Sequence, residues 1–166
     1  MPESARGELI AAIKDERART KRVLDNFPAS ASEMRPHATS PTARELTHVF
    51  NLEAGIGTMA VKGTLDLSKM GSMPPAPATW SEVMKAFDAS YDALLHALDG
   101  TTDADLATTV TFMTGPKQMG PMRKLDLLRF MLNDHIHHRG QLSVYLRMSG
   151  GKVPSIYGPS KDEPWR

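Results

Sequence analysis

The chain of 166 residues contains no cysteine. Disulfide bonds, thiolate metal ligands and a cysteine nucleophile are therefore excluded. A metal site in this protein must use nitrogen and oxygen ligands, and thiol chemistry would need a thiol supplied from outside the chain.

The chain also has no large excess of charge of one sign and no long apolar run. The formal net charge is +1, with no long run of either sign, so we expect neither a nucleic-acid surface nor a polybasic membrane patch. No stretch approaches the roughly 20 apolar residues that span a bilayer, and the N-terminus lacks the apolar core of a signal peptide. We therefore expect a cytoplasmic protein without nucleic-acid or membrane partners.

Four stretches have the apolar spacing of helices and are separated by breaks rich in proline or glycine. They run approximately from Ser4 to Asn26, from Ser40 to Met59, from Thr79 to Asp99 and from Pro121 to Met148. Ser40 followed by Pro41 predicts the start of the second helix, because serine is a good N-cap and proline suits the first helical position. Thr79 and Glu82 form a capping-box pattern at the start of the third.

The connections are longer than in the simplest bundles. Residues 71–77 are a clear break, and residues 101–120 are mixed, with one helical turn expected at 103–106 and an extended piece at 108–112. Gly150 and the glycine after it end the last helix, and an irregular tail follows. With no convincing sheet, the pattern predicts an all-α protein, a single four-helix bundle domain over residues 1–166 with long connections and an irregular C-terminal tail.

Three of the six histidines lie within residues 133–141 of the last predicted helix. At about 100° per residue, Asp134 and His138 fall inside the apolar stripe, His135 lies at its edge and His137 points outward. Imidazole and carboxylate are ligands of divalent transition metals, and two of them four residues apart on a helix can hold one ion. Asp134 and His138 are therefore a candidate metal-binding pair.

A third ligand would come from another helix, and His48 is the natural candidate because it shares a helical face with Leu52 and Gly55. Three protein ligands would leave positions for water or substrate, as in catalytic sites. The same spacing also fits a hydrogen bond or ion pair between Asp134 and His138 that stabilises the bundle without a metal. Spacing alone leaves both interpretations open.

In these and neighbouring residues the chain resembles the DinB/YfiT-like family of metal-binding bundle proteins. The resemblance rests on His138-Arg139-Gly140-Gln141-Leu142 in the last helix, on Glu45-Leu46-Thr47-His48 upstream and on the tail sequence of residues 151–158. It covers nearly the whole chain in element order. It implies a four-helix bundle, commonly a homodimer, with a divalent metal bound by one histidine of the second helix and a pair in the last.

Carried over residue by residue, the resemblance assigns the metal to His48, Asp134 and His138. Position 134 is aspartate where the family usually has histidine, and His135 is a reserve ligand. The resemblance implies zinc or nickel as the divalent ion. It identifies no catalytic residue and no other bound cofactor.

Two functions of different classes follow. The first is a metal-dependent enzyme acting on an unknown small molecule, of the thiol-dependent S-transferase or the hydrolase type, because better-understood relatives use low-molecular-weight thiols such as bacillithiol or mycothiol. In the S-transferase case an external thiol would be the co-substrate. The alternative is a non-catalytic dimeric helical bundle with a structural or ligand-binding role.

Overall fold

The computed structural model describes residues 4–67 and 72–165. Within these ranges four long helices, a short helix and a two-stranded sheet form the regular structure, with a single 3-10 turn at Ala29–Ala31. In chain order the elements are α1 (Ala5–Asp25), α2 (Ala43–Val61), α3 (Trp80–Asp99), α4 (Asp103–Ala107), β1 (Thr109–Gly115), β2 (Gln118–Arg123) and α5 (Lys124–Met148). The four predicted long helices are confirmed. The strictly all-α class is not, because of the sheet.

Helices α1, α2 and α3 begin with a side-chain cap, with one change from the sequence prediction, whereas Arg123 at the start of α5 makes no such hydrogen bond. The capping box of Thr79 and Glu82 is confirmed at α3. Helix α2 is capped by Thr42 and not by Ser40: the Thr42 side chain accepts a hydrogen bond from the Glu45 amide at 3.1 Å, and the Glu45 carboxylate accepts one from the Thr42 amide at 2.7 Å. This reciprocal pair satisfies two N-terminal amides, whereas the residue three positions after Ser40 is an alanine.

The sheet is an antiparallel hairpin in which Phe112 of β1 lies opposite Gly120 of β2. It occupies the residues before Lys124, so the last helix begins there and not near Pro121. The sequence signal is weak because β2 contains glycine and proline, both unfavourable in strands. Its turn also lacks an Asn-Gly pair: the left-handed position is taken by Lys117, with a φ of 58°.

The bundle is closed by pairwise packing in which α2 contacts α3 and α5, and α1 also contacts α5 and α3. The hairpin covers one end of the bundle through Phe112, which is buried in a second apolar cluster with residues of α2 and α5. The other members of that cluster are Ile56, Ala60, Leu127 and Met131. Helices α2 and α5 are thereby held side by side along the part of the bundle that carries the candidate site.

Among residues 4–67 and 72–165, none of the helices combines the length and the apolarity needed to cross a membrane. The cytoplasmic location and the single-domain organisation stay predictions. The first residue of the expected break, Gly71, lies outside the described residues, and residues 72–77 are non-helical as expected.

The tail after α5 is irregular, as predicted, and two carboxylates attach it to the bundle. Asp162 pairs with Arg147 of α5. Glu163 accepts hydrogen bonds from the Ser155 amide at 2.9 Å and from Arg22 of α1 at 2.5 Å. Arg147 lowers the pKa of the Asp162 carboxyl, and the Ser155 amide lowers the pKa of Glu163. The tail therefore depends on both groups being ionised.

We expect the tail to detach in acid before the helices unfold. Both folded-state pKa values lie below those of the unfolded chain, so the stabilisation is complete above about pH 5 and is lost as the pH falls through the folded values. Amide hydrogen exchange at Val153 and Ser155, which donate to Asp162 and Glu163, should report the loss of protection. A variant with both Asp162→Asn and Glu163→Gln should show low protection already at neutral pH. Protection that is independent of both pH and these substitutions would contradict the role of the two carboxylates.

Candidate metal centre

Three potential ligands converge where α2 packs on α5. Glu53, Asp134 and His138 each offer one donor atom, and the three atoms lie within 4.8 Å of one another. His138 Nδ1 is 3.1 Å from Glu53 Oε1 and 3.7 Å from Asp134 Oδ1. The structure thus brings together two of the predicted residues and adds a carboxylate from α2.

The positions of these groups follow from helix geometry. Asp134 and His138 lie one turn apart on the same side of α5. Glu53 faces them from α2, where Phe50, about one turn earlier, packs its ring against His135 and His138 at centroid distances of 4.7 Å and 6.4 Å. The aromatic contact fixes the rotation of α2 and therefore the direction of the Glu53 carboxylate.

Glu53 is a buried acid, and only one of its two carboxylate oxygens makes a hydrogen bond within the described structure. Its Oε2 is buried and has no hydrogen-bond partner within the described part of the chain. Burial raises the pKa of the Glu53 carboxyl to about 7, and the hydrogen bond with His138 opposes that effect. The same hydrogen bond raises the pKa of His138. Because an unsatisfied buried oxygen is costly, this atom is suited to a cation.

The donor set fits a divalent transition metal. It comprises two carboxylates and one imidazole, which are ordinary ligands for such ions. The side chains of His138 and Asp134 are 18% and 37% exposed and that of Glu53 is 6% exposed, so the cluster is buried on the Glu53 side and open on the Asp134 side. Three protein donors with one open side match a site that also admits water or a small molecule.

His48 is not part of this cluster. It lines a separate groove with Leu52 and Pro74, its Nδ1 lies 3.4 Å from the Asn51 amide nitrogen, and its buried Nε2 has no hydrogen-bond partner among the described residues. Glu53 lies five positions after His48, and this spacing turns one side chain about 140° from the other around the helix axis. The assignment of His48 as a ligand stays a prediction, and the geometry offers Glu53 as the α2 ligand.

His135 is the most deeply buried histidine, at 1% exposure, although helical spacing placed it at the edge of the apolar stripe. Its Nδ1 lies 2.5 Å from the Tyr91 hydroxyl and its Nε2 lies 2.6 Å from the Thr20 hydroxyl. Burial lowers the pKa of His135 to about 4, so the ring is neutral near pH 7. Both ring nitrogens are engaged, which leaves neither free for the reserve role. Helix α1 packs on α5, and Tyr91 of α3 reaches His135. The buried face of α5 is therefore wider than its apolar residues alone indicate.

Arg139 belongs to a second buried polar group one turn further along α5. It donates to Glu16 of α1 at 2.5 Å and to the Tyr157 hydroxyl of the tail at 2.6 Å. Tyr157 in turn donates to Glu16 at 2.6 Å. Burial would raise the pKa of Glu16, but the hydrogen bonds from Tyr157 and Arg139 hold it below the usual value. The arginine that follows His138 therefore joins α5 to α1 and to the tail.

Glu53 was missed by the sequence reasoning although a signal for it exists. Leu46, Phe50, Glu53 and Gly57 follow one another at intervals of three or four, which places the glutamate on a buried helical face. An acid on such a face is costly unless it is paired or binds a metal. Spacing alone does not reveal that this face meets Asp134 and His138 of α5.

A sequence model of the DinB family matches residues 1–166. The chain belongs to the DinB family. It is 30% identical over 111 residues to the uncharacterized protein YrdA of Bacillus subtilis strain 168, a match that covers 66% of this chain and 64% of YrdA. The chain therefore spans slightly less than two thirds of that relative.

Solved structures of DinB-like proteins share this fold. A DinB-like protein from Bacillus cereus ATCC 10987 superposes with a TM-score of 0.74 at 22% identity, covering 95% of this chain and all of that one. YfiT from Bacillus subtilis, described as a probable metal-dependent hydrolase with an unusual four-helix bundle topology, gives a TM-score of 0.64 at 13% identity, covering 89% of each chain. At these identities the likeness establishes the fold.

Two neighbouring histidines should differ sharply in their effect on stability. His135→Ala would leave the hydroxyls of Tyr91 and Thr20 without their partner and open a void, at a cost of about 3–5 kcal/mol. His137→Ala removes only an exposed contact with Gln141 and should cost less than about 0.5 kcal/mol. Urea unfolding in the presence of a chelator measures both. Equal destabilisation by the two substitutions would contradict the assignment of His135 as a buried structural residue.

Proposed function

We propose that this DinB-family protein binds one divalent metal ion through Glu53, Asp134 and His138 and uses it in a reaction on a small molecule. The observation that carries the proposal is the buried Glu53 carboxylate, whose Oε2 lacks a partner in the described structure while its other oxygen contacts His138. The description of YfiT as a probable metal-dependent hydrolase agrees with such a role.

Charge balance supports Glu53 over His48 as the third ligand. Two carboxylates and a neutral imidazole compensate the two positive charges of a divalent ion, so the filled cluster would be neutral where Glu53 is buried. A set of His48, Asp134 and His138 would leave one uncompensated positive charge. Zinc and nickel remain the proposed ions, and a set with two oxygen donors also suits manganese or iron.

The reaction proposed is hydrolysis or thiol transfer. A divalent ion in this cluster would supply a Lewis acid that lowers the pKa of a bound water or thiol toward neutrality. Glu53 and Asp134 would hold the charge of the site, with Asp134 at its solvent side and Glu53 at its floor. The two reaction types differ in the nucleophile, which is water in the hydrolase and an external low-molecular-weight thiol in the S-transferase.

Metal binding by matched variants tests the ligand set. We expect about one equivalent of zinc, nickel or manganese per chain in the wild type and in His48→Ala. Glu53→Gln and His138→Ala should weaken binding on the order of 100-fold or more, because loss of even an outer-shell partner costs about 10–100-fold. Calorimetric titration of untagged protein measures the affinities.

Glu8→Gln, which changes an exposed acid of α1, is the control for a general loss of charge. Circular dichroism shows whether each variant keeps its helices. Loss of binding in His48→Ala with retention in Glu53→Gln would favour the ligand set predicted from sequence. No binding by folded wild-type protein would reject the proposal. Metal-loaded protein can then be assayed for ester and amide hydrolysis, and for transfer of thiols to electrophiles, with His138→Ala as the inactive reference.

A non-catalytic homodimer is the second candidate, and the outer face of α5 favours it. Phe130, Val144 and Met148 are exposed large apolar side chains on this helix. Gly140 lies between them, and a Cβ added there would meet no described atom within 4 Å. A mid-helix glycine costs about 1 kcal/mol relative to alanine, and close approach of a helix from a second copy would account for it. We propose that two copies meet through this face of α5.

The oligomeric state of matched methionine variants tests the interface. Wild-type protein should have the mass of a dimer by light scattering at micromolar concentration. Met148→Glu should shift it toward monomer because it places a charge in the apolar face, whereas Met113→Glu, at an equally exposed methionine of the hairpin, should leave the dimer intact. A monomeric wild type, or equal effects of both substitutions, would contradict the proposed interface.

A further inference from the structure

A small apolar cavity lies at the centre of the bundle, where residues of α1, α2, α3 and α5 meet. Its walls are aliphatic or methionine side chains and a glycine, apart from Glu53 and Tyr91. The Tyr91 hydroxyl is already hydrogen-bonded to His135. A water in the cavity would thus find Glu53 as its one unsatisfied neighbour among the described residues, whereas buried waters make about three hydrogen bonds. The cavity is better suited to an apolar group.

The size of the cavity limits what it can receive. Its volume is about 20 Å³. One water-sized group occupies about 10–15 Å³ on this measure, so there is room for one or two such groups. These correspond to a methyl or an ethyl group.

Glu53 joins the cavity to the metal cluster. Its Oε1 contacts His138, its Oε2 has no hydrogen-bond partner among the described residues, and the same residue forms part of the cavity wall. Because Glu53 belongs to both the cluster and the cavity wall, the apolar space lies one side chain away from Asp134 and His138.

Gly57 of α2 keeps the space open. A Cβ at this position would lie 3.1 Å from a methyl carbon of Leu128 and 3.2 Å from one of Leu94, and both leucines line the cavity. By contrast, a Cβ at Gly55 would meet nothing within 4 Å. A helical glycine is destabilising by about 1 kcal/mol relative to alanine. Glycine at position 57 therefore lowers the stability of the helix and leaves the cavity unfilled.

We propose that this cavity is a subsite for a short aliphatic group, one or two carbons long, on a small molecule whose polar head binds at the Glu53–Asp134–His138 cluster. The inference rests on the proposed function and specifies its substrate class. Substrates with a methyl or ethyl arm beside the reacting group are accepted, and longer or branched arms are excluded.

A series of alkyl hydroxamic acids tests the subsite, because the hydroxamate head binds metal ions and the alkyl arm varies in length. The probes are formo-, aceto-, propiono-, butyro- and hexanohydroxamic acid, titrated calorimetrically into zinc-loaded protein. Affinity should rise about fourfold per carbon from the formo to the propiono compound, the factor that burial of a CH₂ group supplies. It should then stop rising and fall at the hexano compound.

Three variants outside the metal ligands sharpen the test. Gly57→Ala fills the cavity and should make the affinity independent of the length of the alkyl arm. Leu132→Ala enlarges it and should move the optimum to a longer acid. Gly55→Ala, on the same helix but away from any neighbour, is the matched control and should leave the series unchanged. The formo compound, which has no arm, should bind all four proteins with similar affinity.

The outcomes distinguish the subsite from the proposed function. Normal zinc uptake with a flat series in the wild type would reject the subsite alone. A series that tightens through the hexano compound and ignores both Gly57→Ala and Leu132→Ala would also reject it. Failure of the folded protein to take up any divalent metal would reject the proposed function and, with it, the subsite.

Discussion

The two hydrogen bonds of His135 are the contact on which the arrangement of this bundle depends. A neutral imidazole buried to 1% exposure needs partners for both ring nitrogens, and Thr20 of α1 and Tyr91 of α3 provide them. One turn further on, Arg139 is held by Glu16 of α1. Together these contacts fix the rotation of α5. Because adjacent residues on a helix are about 100° apart, burying positions 135 and 139 places positions 134 and 138 at the rim of the core, where they face α2.

This placement gives the polar residues of α5 two separate tasks. His135 and Arg139 form satisfied hydrogen bonds inside the bundle and connect it to α1, α3 and the tail. Asp134 and His138 remain partly exposed and meet the buried carboxylate of Glu53. The first pair supplies rigidity, which a metal site needs in order to hold its ligands at fixed positions. The second pair leaves one side of the cluster open to solvent.

Local sequence features predicted much of the fold because their physics is local. Reciprocal capping by Thr79 and Glu82, and the apolar periodicity of all four long helices, depend on residues a few positions apart. The hairpin was missed because β2 has poor strand propensity and gains its place through Phe112, which packs on residues from α2 and α5. The cap of α2 was misplaced at Ser40 because a serine followed by proline is a common start signal, whereas Thr42 has the acid at the required spacing.

By itself the sequence determined that Asp134 and His138 share one side of a helix, since a separation of four residues fixes this in any α-helix. It also determined that thiolate ligands are absent, because the chain has no cysteine. Only the tertiary structure decided that His135 is buried, that Arg139 binds Glu16, and that Glu53 is the group from α2 that reaches the pair. These contacts join residues 44 or more positions apart, and they depend on which helices pack together and on the rotation of each about its axis. Neither quantity is encoded in the spacing within one helix.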